Sequence, residues 1–168
     1  MSQPDLTRPL AQLLSDSRLR REFIRDPAGV ANRLALPPAS IASLQEIDTG
    51  LLEQQARSLL GKRRFEVATI LPRTWQHLGD DAIGLFEEYA LEAPWPTGHR
   101  RHLLDAAAFC SFLKDRADSI ESARIRFKSG DRRFVLARVD GDGRCGVLVL
   151  LRWRKTVRSW LFVVGRSA

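Results

Sequence analysis

The sequence predicts an α+β protein: about five or six helices, then a four-stranded antiparallel β-meander. Three observations lead there. Apolar residues recur at helical spacing through roughly the first two thirds of the 168 residues. The period shortens toward two near Ala123, where Ile125 and Phe127 alternate with Arg124, Arg126 and Lys128. Turn-forming groups then punctuate the apolar runs at short intervals, as in a chain of hairpins.

Taken in order, Leu10, Leu13 and Leu14, then Leu19, Phe23 and Ile24, read as the inner faces of one or two short helices. Asp26-Pro27 marks a new start, with Asp26 as cap and Pro27 in the first helical position. That helix ends near Leu36, because Pro37-Pro38 cannot continue it. Ser40 is the expected cap of the next helix, which carries Ile41, Leu44 and Ile47. A longer helix is predicted over 51–71, with Leu52, Ala56, Leu59, Leu60 and Phe65 facing inward and a possible bend at Gly61. Trp75 and Leu78 form a short turn closed by Gly79, and Asp80 caps a helix bearing Ile83, Phe86 and Tyr89. Pro94-Trp95-Pro96 is a loop. A helix over 101–113 follows, with Leu103, Leu104, Ala107, Phe109, Phe112 and Leu113 as core residues.

The first strand is expected around Ile125 and Phe127 and the second over 133–139, joined by Ser129-Gly130-Asp131. Asp140-Gly141-Asp142-Gly143 makes the next turn, because these residues tolerate positive φ. The third and fourth strands span 145–153 and 157–164, with Arg154-Lys155-Thr156 between them. Both are apolar on both faces, so this sheet must be covered on both sides, by its own helices or by a partner. The expected organisation is a short helical module at 1–50, a helical domain at 51–118 and a basic β unit at 119–168.

A composition of 44% hydrophobic and 28% charged residues is that of a globular protein with a real core. Met1 to Pro9 is polar, and no apolar run is long enough to span a bilayer; a cytoplasmic protein without membrane association is expected. Cys110 and Cys145 match no metal or redox spacing. The net charge of +7 is unevenly placed: residues 124–168 hold 12 Lys/Arg and three Asp/Glu, while residues 1–123 hold 15 and 17. The basic last quarter favours an anionic partner, either nucleic acid or an acidic peptide or protein face.

No catalytic constellation stands out. His99 and His102 flank two arginines, which disfavour a bound cation, and His77 is remote. Asp140 and Asp142 lack the further oxygen ligands of a calcium loop. No phosphate loop, nucleophile elbow or dinucleotide fingerprint is present. The expectation is therefore a protein that is not an enzyme and carries no metal or cofactor of its own. Two basic clusters remain: Lys62-Arg63-Arg64 on the long helix, and Arg152, Arg154, Lys155 and Arg158, bracketed by Trp153 and Trp160.

The middle segment runs Leu59-Leu60-Gly61-Lys62-Arg63-Arg64-Phe65-Glu66-Val67-Ala68, then Leu71-Pro72, Leu78-Gly79-Asp80, Phe86-Glu87-Glu88-Tyr89-Ala90, Pro94 and Phe109-Cys110-Ser111-Phe112-Leu113. It resembles small helical domains labelled DNA-binding that accompany multinuclear non-haem iron-dependent oxidative enzymes in bacterial modified-peptide biosynthesis. Phe23-Ile24-Arg25-Asp26-Pro27, Leu34-Ala35-Leu36 and Leu44-Gln45-Glu46-Ile47-Asp48 are similar to LigA-type and Nif11-type modules found around such peptides. The resemblance covers residues 10–113. It implies a non-catalytic partner subunit, with any iron held by the enzyme and an acidic leader peptide held on a β-edge. On that reading Arg133, Arg138, Arg152, Arg154, Lys155 and Arg158 contact the peptide, and Lys62, Arg63 and Arg64 dock the enzyme. The alternative is a DNA-binding regulator that uses the basic C-terminal region.

Overall fold

A computed structural model describes residues 6–141, 144–153 and 156–166; the expected turns at Asp142-Gly143 and Arg154-Lys155 fall outside them. The elements are α1 (Thr7–Ser15), α2 (Ser17–Arg25), α3 (Pro27–Arg33), α4 (Pro38–Gln45), α5 (Thr49–Ile70), α6 (Pro72–Leu78), α7 (Asp81–Glu92), α8 (Arg101–Leu113), a 3-10 turn (Lys114–Arg116), α9 (Ser119–Ser129), β1 (Phe134–Gly141), β2 (Arg144–Trp153) and β3 (Thr156–Arg166). The α+β class holds, with more helices than expected and one strand fewer among the described residues. No helix of those residues is long and apolar enough to cross a membrane.

The chain divides into two compact units, residues 1–64 with 87–95 and residues 65–86 with 96–168. In the first, Leu13, Phe23, Val30, Ala31, Leu44 and Leu52 form a buried core. Short helices are marginal alone, so their caps matter. The Asp16 carboxylate accepts from the N–H groups of Arg18 and Leu19, and Asp26 accepts from Gly29 at 2.9 Å, with Pro27 in the first turn. Ser40, the expected cap, instead lies buried inside α4, which already starts at Pro38. Asp48 caps α5, accepting from Gly50 and Leu51.

α5 runs unbroken through Gly61. Its inward stripe is Leu52, Ala56, Arg63 and Val67, a spacing of whole helical turns. Phe65 stands about 200° around the helix from Arg63 and Val67. It is 73% exposed, contrary to the sequence expectation. The same phase error puts Ile83, Leu104 and Phe112 outside, while α7 buries Ala82, Phe86 and Tyr89 and α8 buries Asp105, Ala106, Phe109, Cys110 and Leu113.

In the second unit Trp75, Phe86 and Phe109 form an aromatic cluster with centroids 5.2–6.1 Å apart. The main correction concerns residues 119–129. The expected first strand is a helix, α9, with Ile120, Ile125 and Phe127 buried. Its start is fixed from two sides. The Asp118 carboxylate accepts from the Glu121 N–H at 2.8 Å. The Glu121 carboxylate accepts from the N–H groups of Arg73 and Thr74 at 2.8 and 2.7 Å, satisfying orphan donors at the start of α6. Asp118 N–H in turn donates to Thr74 Oγ1. The helix then packs on the sheet: Ile120 and Phe127 meet Val139, Leu148 and Leu150, flanked by Ala123, Val135, Ala137 and Val157.

The sheet order is β1-β2-β3, all antiparallel, so β1 and β3 are both edges. Only one face rests on α9. The register puts Phe134, Leu136, Arg138, Val147, Val149, Leu151, Arg158, Trp160 and Phe162 on the other. Of the two sources of cover that the sequence left open, the chain's own helix supplies one face.

Burial governs the chemistry of Cys110, which lies wholly inside the second unit. Desolvation there, reinforced by the Glu121 charge, pushes its thiol from 9.0 up to about 11. The unfolded chain ionises this thiol first, so the burial's stabilisation is complete below pH 9 and is lost as pH rises toward 11. At pH 8 iodoacetamide is expected to label Cys145, which is half-buried, and to spare Cys110 until denaturant is added. Mass spectrometry of the two tryptic peptides checks this.

Candidate functional site

The C-terminal sheet concentrates the features that point to a ligand, and its hydrogen-bond phase defines them. Arg152 N–H donates to Arg133 C=O at 2.8 Å. Since Phe134 pairs with Leu151, Arg133 and Arg152 are a hydrogen-bonded pair. Alternation then turns the backbone groups of Val135, Ala137 and Val139 toward β2, and those of Phe134, Leu136, Arg138 and Asp140 toward the open side of β1. Ser119 supports this phase. Its hydroxyl donates to Asp140 C=O at 2.6 Å and accepts from Asp140 N–H at 3.0 Å, standing in for one residue of a neighbouring strand. No hydrogen bond from the described residues reaches the N–H or C=O of Phe134, Leu136 or Arg138.

Beside this edge lies an open groove of about 1030 Å³, walled by β1 on one side and by α8, the 3-10 turn and α9 on the other. Val135, Ala137 and Phe127 give it apolar surface. Lys114, Arg126 and Arg132 bring three cations to it against Asp115, and Arg138 and Asp140 border it from β1. Arg138 is within 3.6 Å of the Asp140 carboxylate. Among the described residues Lys114, Arg126 and Arg132 have no ion-pair partner. An exposed strand edge inside a cationic groove can accept an extended peptide as a further strand, with acidic side chains turned to the groove walls.

The structure distributes the sequence-predicted residues unevenly over this site. Arg138 is exposed and borders the groove. Arg133 is exposed just ahead of β1. Arg158 is exposed on the open face, opposite Leu151. Arg154 and Lys155 lie outside the described residues. Arg152 has a structural task. Its guanidinium donates to the carbonyls of Gly130 at 2.8 Å, Phe127 at 2.7 Å and Lys128 at 3.3 Å, and stacks 5.1 Å above the Phe127 ring. It thereby satisfies the end of α9, where unpaired carbonyls and the helix dipole both favour a cation. Sequence reading missed Lys114, Arg126 and Arg132 as a set, because the groove joins three elements that are distant from β1 in sequence or type.

The cluster on α5 is also divided. Lys62 is exposed. Arg63 is only 4% exposed, donates to Ala93 C=O at 3.0 Å and lies 5.2 Å over the Tyr89 ring. Arg64 pairs with Glu87 at 3.5 Å. Arg63 thus ties α5 to the end of α7 within the first unit. Arg63→Ala is expected to cost about 1–3 kcal/mol, by leaving the half-buried Ala93 carbonyl short of its donor; a urea unfolding curve measures it.

The histidines form no centre. His102 Nδ1 faces the Glu66 carboxylate, and His99 is exposed in the preceding turn. Among the described residues no group of three or more His, Cys, Asp or Glu side chains is placed to hold a metal ion.

Comparison with known proteins adds one finding. No curated protein and no solved structure matches the chain. Residues 45–115 match the family model described as SCO6045-like, C-terminal domain. The matched stretch runs from the end of α4 into the 3-10 turn, and stops before α9 and the sheet.

Proposed function

We propose that the chain is a non-catalytic recognition subunit. It captures the acidic leader segment of a precursor peptide along β1 and holds it for an iron-dependent peptide-modifying enzyme. The observation that supports this reading most is the free edge of β1 set in a cationic groove. Phe134, Leu136 and Arg138 offer three N–H and three C=O groups there at the two-residue repeat of an added strand. Each backbone bond formed contributes a net ~0.5–1.5 kcal/mol, so a short segment gains useful affinity whatever its side chains. The cations then select for acidic ones, more strongly at low salt. The enzyme class comes from the family resemblance of the helical part, and any iron in this reading is the enzyme's.

Titration calorimetry of the full chain tests the claim with two peptides of about ten residues. One alternates Glu with Val; the other replaces every Glu by Lys. The acidic peptide is expected to bind and to weaken with added salt, and the basic one to stay silent. Equal binding of both, or of neither, contradicts the reading. The exposed Arg124, Arg126 and Lys128 on α9 favour a second reading, duplex DNA binding. Duplex binding with a steep salt dependence, alongside indifference to the acidic peptide, would put that reading first.

A further inference from the structure

The face of the sheet turned away from α9 has its own pattern. The register lays it out as a grid. Phe134, Leu151 and Arg158 make one row, Leu136, Val149 and Trp160 the next, and Arg138, Val147 and Phe162 the third. Trp153 extends the central column beyond the first row. Exposure is 53% at Phe134, 61% at Leu136, 68% at Trp153, 43% at Trp160 and 57% at Phe162. At ~200 Å² per large side chain, these five alone expose roughly 550 Å² of apolar surface. That is at the upper end of the ~300–600 Å² of the largest patch on a typical monomer. α9 covers one face of the sheet, and the other keeps an apolar surface with no layer packed on it among the described residues.

We propose that this face pairs with the same face of a second copy, making a six-stranded β-sandwich. The corners of the grid are complementary to themselves under a two-fold rotation. Taken around the rectangle they read Phe134, Arg158, Phe162, Arg138, so aromatic and cation alternate. A two-fold axis lying in the face, along the strands or across them, brings every arginine corner onto a phenylalanine corner of the other copy. Arginine meets no arginine, and each cation finds a ring to stack on. Val149, at the centre, meets itself on the axis. The face is therefore self-complementary in the sense a two-fold dimer needs, despite the positive charge of the region. Aligned sheets cross at about 30°, which shifts the corners but keeps the pairing of types. Two such faces bury on the order of 1,100 Å², which reaches the ~1,000 Å² expected of a specific interface.

This proposal does not rest on the peptide reading, although the two share Arg138. Pairing through the faces leaves the β1 edges open, so a dimer would carry two grooves, and either claim can fail without the other. Sedimentation equilibrium of the full chain over roughly 1–100 µM tests it. The mass is expected to rise with concentration to twice that of the monomer. Leu136→Glu and, separately, Trp160→Glu each place a carboxylate in the dry centre and are expected to weaken pairing at least ~100-fold. The Arg138→Ala/Arg158→Ala double variant keeps that centre and is expected to weaken pairing about 10-fold. Far-UV circular dichroism establishes that each variant is folded, and the arginine variant decides if a glutamate variant is not. A monomer throughout the range overturns the proposal. So does a dimer indifferent to all the variants that fold, because it then forms through another surface.

Discussion

Arg152→Ala is expected to lower the unfolding free energy by about 3 kcal/mol, the largest stability effect of any single exposed or half-exposed cation among the described residues. The side chain donates to three carbonyls at the end of α9 and covers the Phe127 ring, so alanine removes a cap and part of the packing together. Those carbonyls lie where α9 gives way to β1, and the loss loosens the helix that covers the sheet. Arg152→Lys keeps the charge but not the planar fork, and is expected to recover only about half of the loss. Urea denaturation of the three proteins measures both effects. Equal stability of the alanine variant and the parent would show that these bonds merely replace bonds to water.

The second large effect is on binding. Arg138→Pro is expected to weaken the acidic peptide at least ~30-fold, whereas Arg138→Ala weakens it only about 3–5-fold. Both variants lose the guanidinium. The proline also loses the Arg138 N–H, which points to the open side of β1, and its ring crowds the incoming strand. The ladder to β2 is untouched, because Ala137 and Val139 supply its bonds on either side. Calorimetric titration of both variants gives the ratio, with thermal melting to show that the edge tolerates proline. Similar losses in the two variants would mean that the arginine charge matters and the strand edge does not.

The sheet was largely legible in the sequence, because residues 133–164 alternate or run apolar between strong turn signals. The helix α9 was not. Ile125 and Phe127, set among Arg124, Arg126 and Lys128, satisfy a period of two over five residues, too short a window to exclude a helix. The opposing signal was present in Asp118-Ser119-Ile120-Glu121, a capping pattern, and in Ile120, Ala123 and Phe127 at helical spacing. The helix wins because Glu121 also caps α6 and because its apolar stripe covers one face of the sheet.

The candidate site was legible as a charge excess and not as a geometry. Composition places cations in the last quarter, but it cannot show that Arg152 is spent on helix carbonyls, or that Arg63 is spent on Ala93 and Tyr89. Those roles depend on carbonyls and rings brought close only by tertiary packing. The groove is equally non-local, since Lys114 and Arg126 come from the helical part and Arg132 and Arg138 from the approach to β1 and its body. The open sheet face was half legible. The apolar runs on both faces demanded two covers, and the chain's own helix provides one.

Amide hydrogen exchange, read by NMR residue by residue, tests the central claim most directly. In the free protein the amides of Val135, Ala137 and Val139 are expected to be protected by β2, and those of Phe134, Leu136 and Arg138 to exchange freely. Saturating acidic peptide should slow the latter three at least ~10-fold, with the former unchanged. If the peptide binds and these three amides keep their free-state rates, it does not add to the β1 edge, and the account of this chain as an edge-strand recognition subunit is wrong.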